Sequence, residues 1–148
     1  MKNPLFEGLN EEEEQSFLSI FTKKEISKGQ AIKKEGEHLK KGFLLESGEL
    51  LVKKHSSDGE MEVATISDSS VFFSLTCLVD RSNSLTTVEA KKDSVILEVS
   101  QKDFFAFCQK NPEIGVKVLK NATLLLAKFL RNSDEKIVQM YKTLEEVL

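Results

Sequence analysis

Tryptophan is absent from the 148 residues, tyrosine occurs once, and there are only two prolines, two histidines and two cysteines. Each scarcity excludes something. His38 and His55 sit in polar, turn-like segments with no cysteine or paired carboxylate beside them, so no metal site is expected. Cys77 and Cys108 lie far apart among apolar neighbours, without CxxC spacing or basic context, and read as small buried hydrophobes with free thiols. No apolar run has the length of a membrane span, and "MKNPLFEGLNEEEE" lacks the basic-then-apolar order of a secretory leader. The chain is therefore expected in the cytoplasm, away from membranes. A formal charge of -3 supplies no basic field for nucleic acid. Nor does the sequence assemble a Ser-His-Asp set, a paired acid and base or a Walker-type phosphate loop, so neither an enzyme nor a cofactor is expected.

What is present is a chain 40% hydrophobic and 30% charged, long enough for one domain, residues 1–148, to bury a core without staples. Asn10 followed by Glu11 to Glu14 supplies an N-cap, an N3 glutamate and negative charge at the positive end of a helix dipole. Phe17, Leu18 and Phe21 give that helix, within an N-terminal segment 1–22, a face to bury. From 23 to 99 the pattern changes to short alternating segments punctuated by Gly29, Gly36, Gly48 and Gly59. Ile26, Ile32, Phe43, Leu45, Leu50, Val52, Val63, Ile66, Val88, Val95, Leu97 and Val99 are the expected inward residues. The fold class is mainly β with flanking helices: an antiparallel β-roll, or jelly roll, with Asp58-Gly59 as its clearest hairpin turn. The paired lysines, Lys23-Lys24, Lys33-Lys34, Lys40-Lys41, Lys53-Lys54 and Lys91-Lys92, fall near strand ends and read as solvated surface that discourages edge pairing.

Residues 100–148 are expected to be helical. Ser100 with Asp103 makes a weak cap, and Asn111-Pro112 marks a break before a last helix in which Pro112 occupies the first turn. That helix carries an apolar seam: Leu119, Ala122, Leu126, Phe129 and Ser133, then, after a stutter, Ile137, Met140, Leu144 and Val147. The first half is expected to pack on the roll. The second half, with Leu126, Phe129, Leu130, Ile137, Met140, Leu144 and Val147 as contact candidates, is expected to pair with a second copy. The sequon Asn121-Ala122-Thr123 falls in this helical core stretch and carries no functional reading.

The order of elements, with "NPLFEGLNEEEEQSF", "ISKGQAIKKEGE" and "GFLLESGELLVKK" at these intervals, resembles the cyclic nucleotide-binding domain family. That family includes catabolite-activator-type regulators, kinase regulatory subunits and gated channels. The resemblance implies that "FFSLTCLVDRSNSLTT", which includes a helical insert near 72–80, stands at the phosphate-binding cassette. In the family this is a Phe-Gly-Glu-Leu-Ala core followed by Pro-Arg-x-Ala-Thr. Its backbone amides approach the cyclic phosphate beside a small residue, its arginine neutralises the phosphate, and its glutamate takes the ribose 2′-hydroxyl. Matching Thr87-Val88 to the closing Thr-Val puts Phe73 on the glycine, Ser74 on the glutamate, Asn83 on the proline and Ser84 on the arginine, with Leu75, Thr76, Thr86 and Thr87 keeping the frame.

Each group that defines cyclic-nucleotide chemistry is thereby replaced. Losing the guanidinium of a desolvated phosphate costs about 2 to 5 kcal/mol, roughly 30- to several-thousand-fold in affinity. Arg81, three residues before the matching position, is the one candidate for rescue. The remaining pocket candidates are Phe72, Phe73, Ser74, Leu75, Thr76, Ser84, Leu85, Thr86 and Thr87, either lining a site for a less charged ligand or, with Phe72, Leu75 and Leu78, plugging the roll. The leading expectation is a stand-alone regulatory or interaction module, dimeric through its C-terminal helix and serving an unknown protein partner. It would not bind cyclic AMP or cyclic GMP in the usual way, nor bind nucleic acid directly. The alternatives are a small-molecule sensor signalling through the same helix, with a cyclic nucleotide as a possible but disfavoured ligand, and the sensor portion of a transcription regulator whose winged helix-turn-helix should follow.

Overall fold

A computed structural model describes residues 3–67 and 71–147. A 3-10 turn, Pro4–Phe6, leads into α1, Glu11–Leu18. The Asn10 side chain accepts from the Glu13 amide at 2.8 Å, and Glu13 Oε1 accepts from the Asn10 amide at 3.1 Å, which completes the reciprocal cap. Eight strands follow: β1 Thr22–Ile26, β2 Ala31–Lys33, β3 Lys41–Ser47, β4 Leu50–Ser56, β5 Gly59–Ile66, β6 Phe72–Phe73, β7 Thr87–Ala90 and β8 Ser94–Ser100. The short helix α2, Leu75–Val79, lies between β6 and β7, and the chain closes with α3, Gln101–Lys110, and α4, Pro112–Val147. The strands form two antiparallel sheets, ordered β1-β8-β3-β6 and β2-β7-β4-β5. This is the expected roll with its flanking helices.

Because side chains alternate across a strand, the first sheet carries a core on each face. Phe43, Leu45, Phe73 and Ile96 face the roll interior, where they meet Ile26 at the end of β1 and Leu50, Val88 and Ala90 of the other sheet. Leu44, Phe72 and Val99 face the opposite way, into a cluster with Leu5, Phe6, Phe17, Leu75, Leu78, Phe104, Phe107, Cys108, Val118 and Ala122. In that helical cluster Phe17 lies 5.1 Å from Phe6, 5.2 Å from Phe21 and 5.5 Å from Phe107, centroid to centroid. Burying each such ring contributes about 1.5–3 kcal/mol. Gly42, on the strand between the two cores, is required by packing: a methyl group added there would meet the Phe72 ring at 2.5 Å.

Four sequence expectations are corrected. Val63 is 45% exposed, because β5 is the outer strand of its sheet and turns that face to solvent. On β8 it is Ser94 and Ile96 that are buried toward the roll, whereas Leu97 and Val99 pack on the helical side. The β4–β5 turn is Ser57–Asp58, one residue earlier than expected; Gly59, at φ 107°, already pairs with Ser56. Lys33 is not surface but 6% exposed. The register of β2 on β7 slips between Ala31 and Lys33, and this bulge lets two consecutive residues, Ile32 and Lys33, both turn inward.

The 36 residues of α4 extend about 54 Å. Its docked face is Ile114, Val118, Asn121, Ala122, Leu125 and Leu126, set against the helical cluster rather than the roll, so the seam shares only Ala122 and Leu126 with the packed surface. The buried Asn121 donates from Nδ2 to the carbonyls of Leu5 at 2.9 Å and Glu7 at 2.8 Å, and Lys117 reaches Glu13 at 2.9 Å. Together they fasten the N-terminal segment to α4. Beyond Leu126 every described position of the helix is exposed.

Candidate functional site

The cassette is held at both ends by its neighbours. Phe72 and Phe73 pair with Leu44 and Phe43 of β3, so these adjacent aromatic rings enter opposite cores. Phe73 stacks on Phe43 with ring centroids 5.0 Å apart and planes 19° from parallel. Ser74 then takes the left-handed conformation, φ 64° and ψ 32°, which costs a non-glycine residue about 1–2 kcal/mol. Its carbonyl accepts from Leu78, but its Oγ is buried and hydrogen-bonded to nothing among the described residues. At the other end of α2, Gln101 Nε2 donates to the carbonyls of Leu78 at 3.0 Å and Asp80 at 2.6 Å, which couples the cassette to α3.

The segment after α2 is a stapled turn. Asp80 Oδ1 accepts from the Ser82 amide and hydroxyl, and these bonds hold its carboxyl below the usual range. Ser84, 2% exposed, exchanges backbone hydrogen bonds with Gly36 at 2.7 Å and Glu37 at 2.8 Å, while its hydroxyl donates to the Thr86 carbonyl at 2.7 Å. His38 Nδ1 lies 3.1 Å from Asn83 Oδ1, and Thr87 Oγ1 accepts from the Glu35 amide at 2.9 Å. Residues 34–38 are thus laced to 83–87.

The candidate residues named from the sequence divide accordingly. Phe73 faces the roll interior, while Ser84 and the Ser74 hydroxyl are buried. Phe72, Leu75 and Leu78, expected to plug the roll, belong instead to the helical cluster, because β6 turns Phe72 outward and α2 lies on that face. Thr86 and Thr87 are half-buried at the rim, whereas Thr76, Arg81 and Leu85 are exposed, Leu85 at 64%. Arg81 stands in the Asp80–Ser82 turn, outside the buried set. The sequence reading missed Lys33, whose side chain enters the interior, where burial holds its ammonium below the ordinary 10.5. The signal was present in "QAIKKEGE", where a lysine occupies a strand position just before a glycine turn, but a bulge cannot be read from alternation.

On the C-terminal helix, Leu126 is half-buried and Phe129, Leu130, Ile137, Met140, Leu144 and Val147 are exposed. No described helix is long and apolar enough to cross a membrane.

Comparison with known proteins places this geometry. The family model described as "Cyclic nucleotide-binding domain" matches residues 23–111, from β1 to the end of α3. A cyclic AMP receptor protein of Thermus thermophilus is 29% identical over 133 residues, covering 89% of this chain but 59% of that protein. The crystal structure of the Thermus thermophilus catabolite activator protein superposes with a TM-score of 0.85 at 26% identity, over 93% of this chain and 63% of that one. The N-terminal domain of a transcriptional regulator from Streptomyces coelicolor A3(2) has the same fold, with a TM-score of 0.77 at 20% identity over 91% of this chain and 92% of that one. The chain spans about three fifths of the length of the Thermus relatives. With the family model matching residues 23–111, more than half of the chain, the chain belongs to the cyclic nucleotide-binding domain family.

Proposed function

We propose that this domain is a regulatory module of the cyclic nucleotide-binding fold that does not hold cyclic AMP or cyclic GMP through the usual cassette contacts, and that works as a homodimer through the distal half of α4. One observation carries the first part: the position that the resemblance matches to the phosphate-binding arginine is Ser84, buried, with its hydroxyl donating to the Thr86 carbonyl. A cyclic phosphate placed there meets no guanidinium, and the glycine position beside it is filled by Phe73 stacked on Phe43. The dimer reading is supported by Ile137, Met140, Leu144 and Val147, an apolar stripe with no cover in its own domain. The bonds from Gln101 to α2 and the packing of α4 on the same cluster give the cassette a rigid route to that helix.

A thermal-shift titration with cyclic AMP and cyclic GMP tests the nucleotide reading, because any ligand that binds the folded state alone raises Tm by mass action. The expected result is no shift at concentrations up to roughly 100 µM, where a site of about 1 µM affinity would be saturated. A saturating rise with either nucleotide in the micromolar range overturns it. A second reading, a sensor of another small ligand, is favoured by the unsatisfied Ser74 hydroxyl inside the cassette.

A further inference from the structure

One face of α4 is neither docked on the helical cluster nor part of the apolar stripe. At about 100° per residue, Lys117, Lys120, Lys128 and Arg131 all project within roughly 40° of Leu124, in a row about 21 Å long. Ile137, Met140, Leu144 and Val147 project about 140–160° away from Leu124, so pairing through them leaves the row in solvent. Leu124 is 56% exposed, and Lys120, Lys128 and Arg131 are exposed and make no ion pair among the described residues. From Ile114 to Ser133 the chain carries these four cations and no acidic residue, in a protein whose net charge is -3. An exposed helix face ordinarily sets an acid one turn from a lysine; this one has none. Packing does not require the omission, because the docked side is Ile114, Val118, Asn121, Ala122 and Leu125.

The first cation shows what the row takes. Lys117 Nζ donates to both carboxylate oxygens of Glu13, at 2.9 and 3.1 Å, and this bond holds the Glu13 carboxyl below its usual range. The three cations that follow have no such carboxylate. The row is also closed by acids at both ends, Glu13 on Lys117 and Asp134-Glu135 just beyond Arg131, which leaves no continuous basic track for a nucleic-acid backbone.

We infer that this row is a docking surface for an acidic segment of a protein partner, with carboxylates on Lys120, Lys128 and Arg131 and one apolar side chain against Leu124. Its length matches about four turns of an acidic helix. The surface is separate from the dimer stripe and stands whether or not the chain pairs through it. Charge complementarity sets the specificity, and Leu124 adds an apolar anchor at the centre.

The test is fluorescence anisotropy of the full chain with a labelled peptide of glutamates around a central leucine, beside a second peptide with glutamines in place of the glutamates. The glutamate peptide is expected to bind at roughly 100 µM, since exposed ion pairs contribute little each, and to weaken about tenfold between about 50 and 300 mM sodium chloride. The glutamine peptide is expected not to bind. The triple change K120E, K128E and R131E is expected to abolish binding, and L124A to weaken it severalfold; all four positions are exposed, so Tm should hold. A control triple reversal on the roll and α3, K23E, K92E and K102E, changes the net charge equally and is expected to keep binding. Equal binding of the two peptides, binding retained by the α4 triple variant, or equal loss in the control would each overturn the docking surface. Tighter binding of a labelled short DNA duplex than of the glutamate peptide, lost in the same α4 variant, would overturn it in favour of nucleic acid.

Discussion

Phe72 and Phe73 are neighbours in sequence and lie on opposite sides of one sheet, and the two cores they enter are built differently. The helical side is filled by Phe6, Phe17, Phe72, Phe104 and Phe107 with leucines between them; its buried polar anchor is Asn121, whose amide is satisfied by two carbonyls. At the cassette end of the roll Lys33 is buried with its ammonium held below the ordinary 10.5, Ser74 is left-handed with its hydroxyl unbonded, and the Ser84 hydroxyl donates to the Thr86 carbonyl. A closed core resolves its polar groups, whereas a site keeps some unresolved for something that arrives later. By that measure stability is concentrated on the helical face and binding capacity on the roll face.

The sharpest way to break this contrast is to cut into the helical side. Phe17→Ala, at the centre of four ring contacts, is expected to cost about 3–5 kcal/mol in urea denaturation. A loss under about 1 kcal/mol would mean that the cluster is loosely packed. The distal helix comes next: the double change Ile137→Asp and Leu144→Asp is expected to raise the dimer dissociation constant at least about 100-fold in sedimentation equilibrium, while the domain melts unchanged. An unaltered dimer would place the interface elsewhere. Asn121→Ala, which strands the Leu5 and Glu7 carbonyls, is expected to cost about 1–3 kcal/mol, with the loss visible in faster amide exchange of the N-terminal segment.

The smallest expected effect lies on the roll side. The folded protein holds Lys33 below its ordinary 10.5, so between the folded and unfolded values the unfolded chain binds more protons and stability rises with pH. K33M lacks this dependence. It is therefore expected to be more stable than the wild type at neutral pH, with the gap closing as pH approaches 10.5. Other alkaline titrations, such as that of Cys108, whose thiol is pushed up by burial, occur in both proteins and cancel in the difference. A gap that stays constant with pH would mean that Lys33 is solvated.

Much of this was legible in the residues. The N-cap at Asn10, the break at Pro112, the glycine-punctuated strands and the bare distal seam each depend on local chemistry that a short window contains. What the sequence hid depends on distant pairing. A β-bulge is a relation between β2 and β7, so Lys33 looked like one of several surface lysine pairs. Which face of a strand is the roll interior depends on where the helices dock, and since both faces of β3 and β8 are apolar, alternation could not assign Phe72 or Val99 to the helical side. The cassette itself was found by resemblance, and its replacements were visible there. The unsatisfied Ser74 hydroxyl needed coordinates.

Whether this cassette has lost its cyclic-nucleotide chemistry is decided by isothermal titration of cyclic AMP into the wild-type protein. No binding isotherm is expected, since removing the guanidinium alone weakens a micromolar site by roughly 30- to several-thousand-fold. A one-to-one isotherm at micromolar or tighter affinity would contradict it.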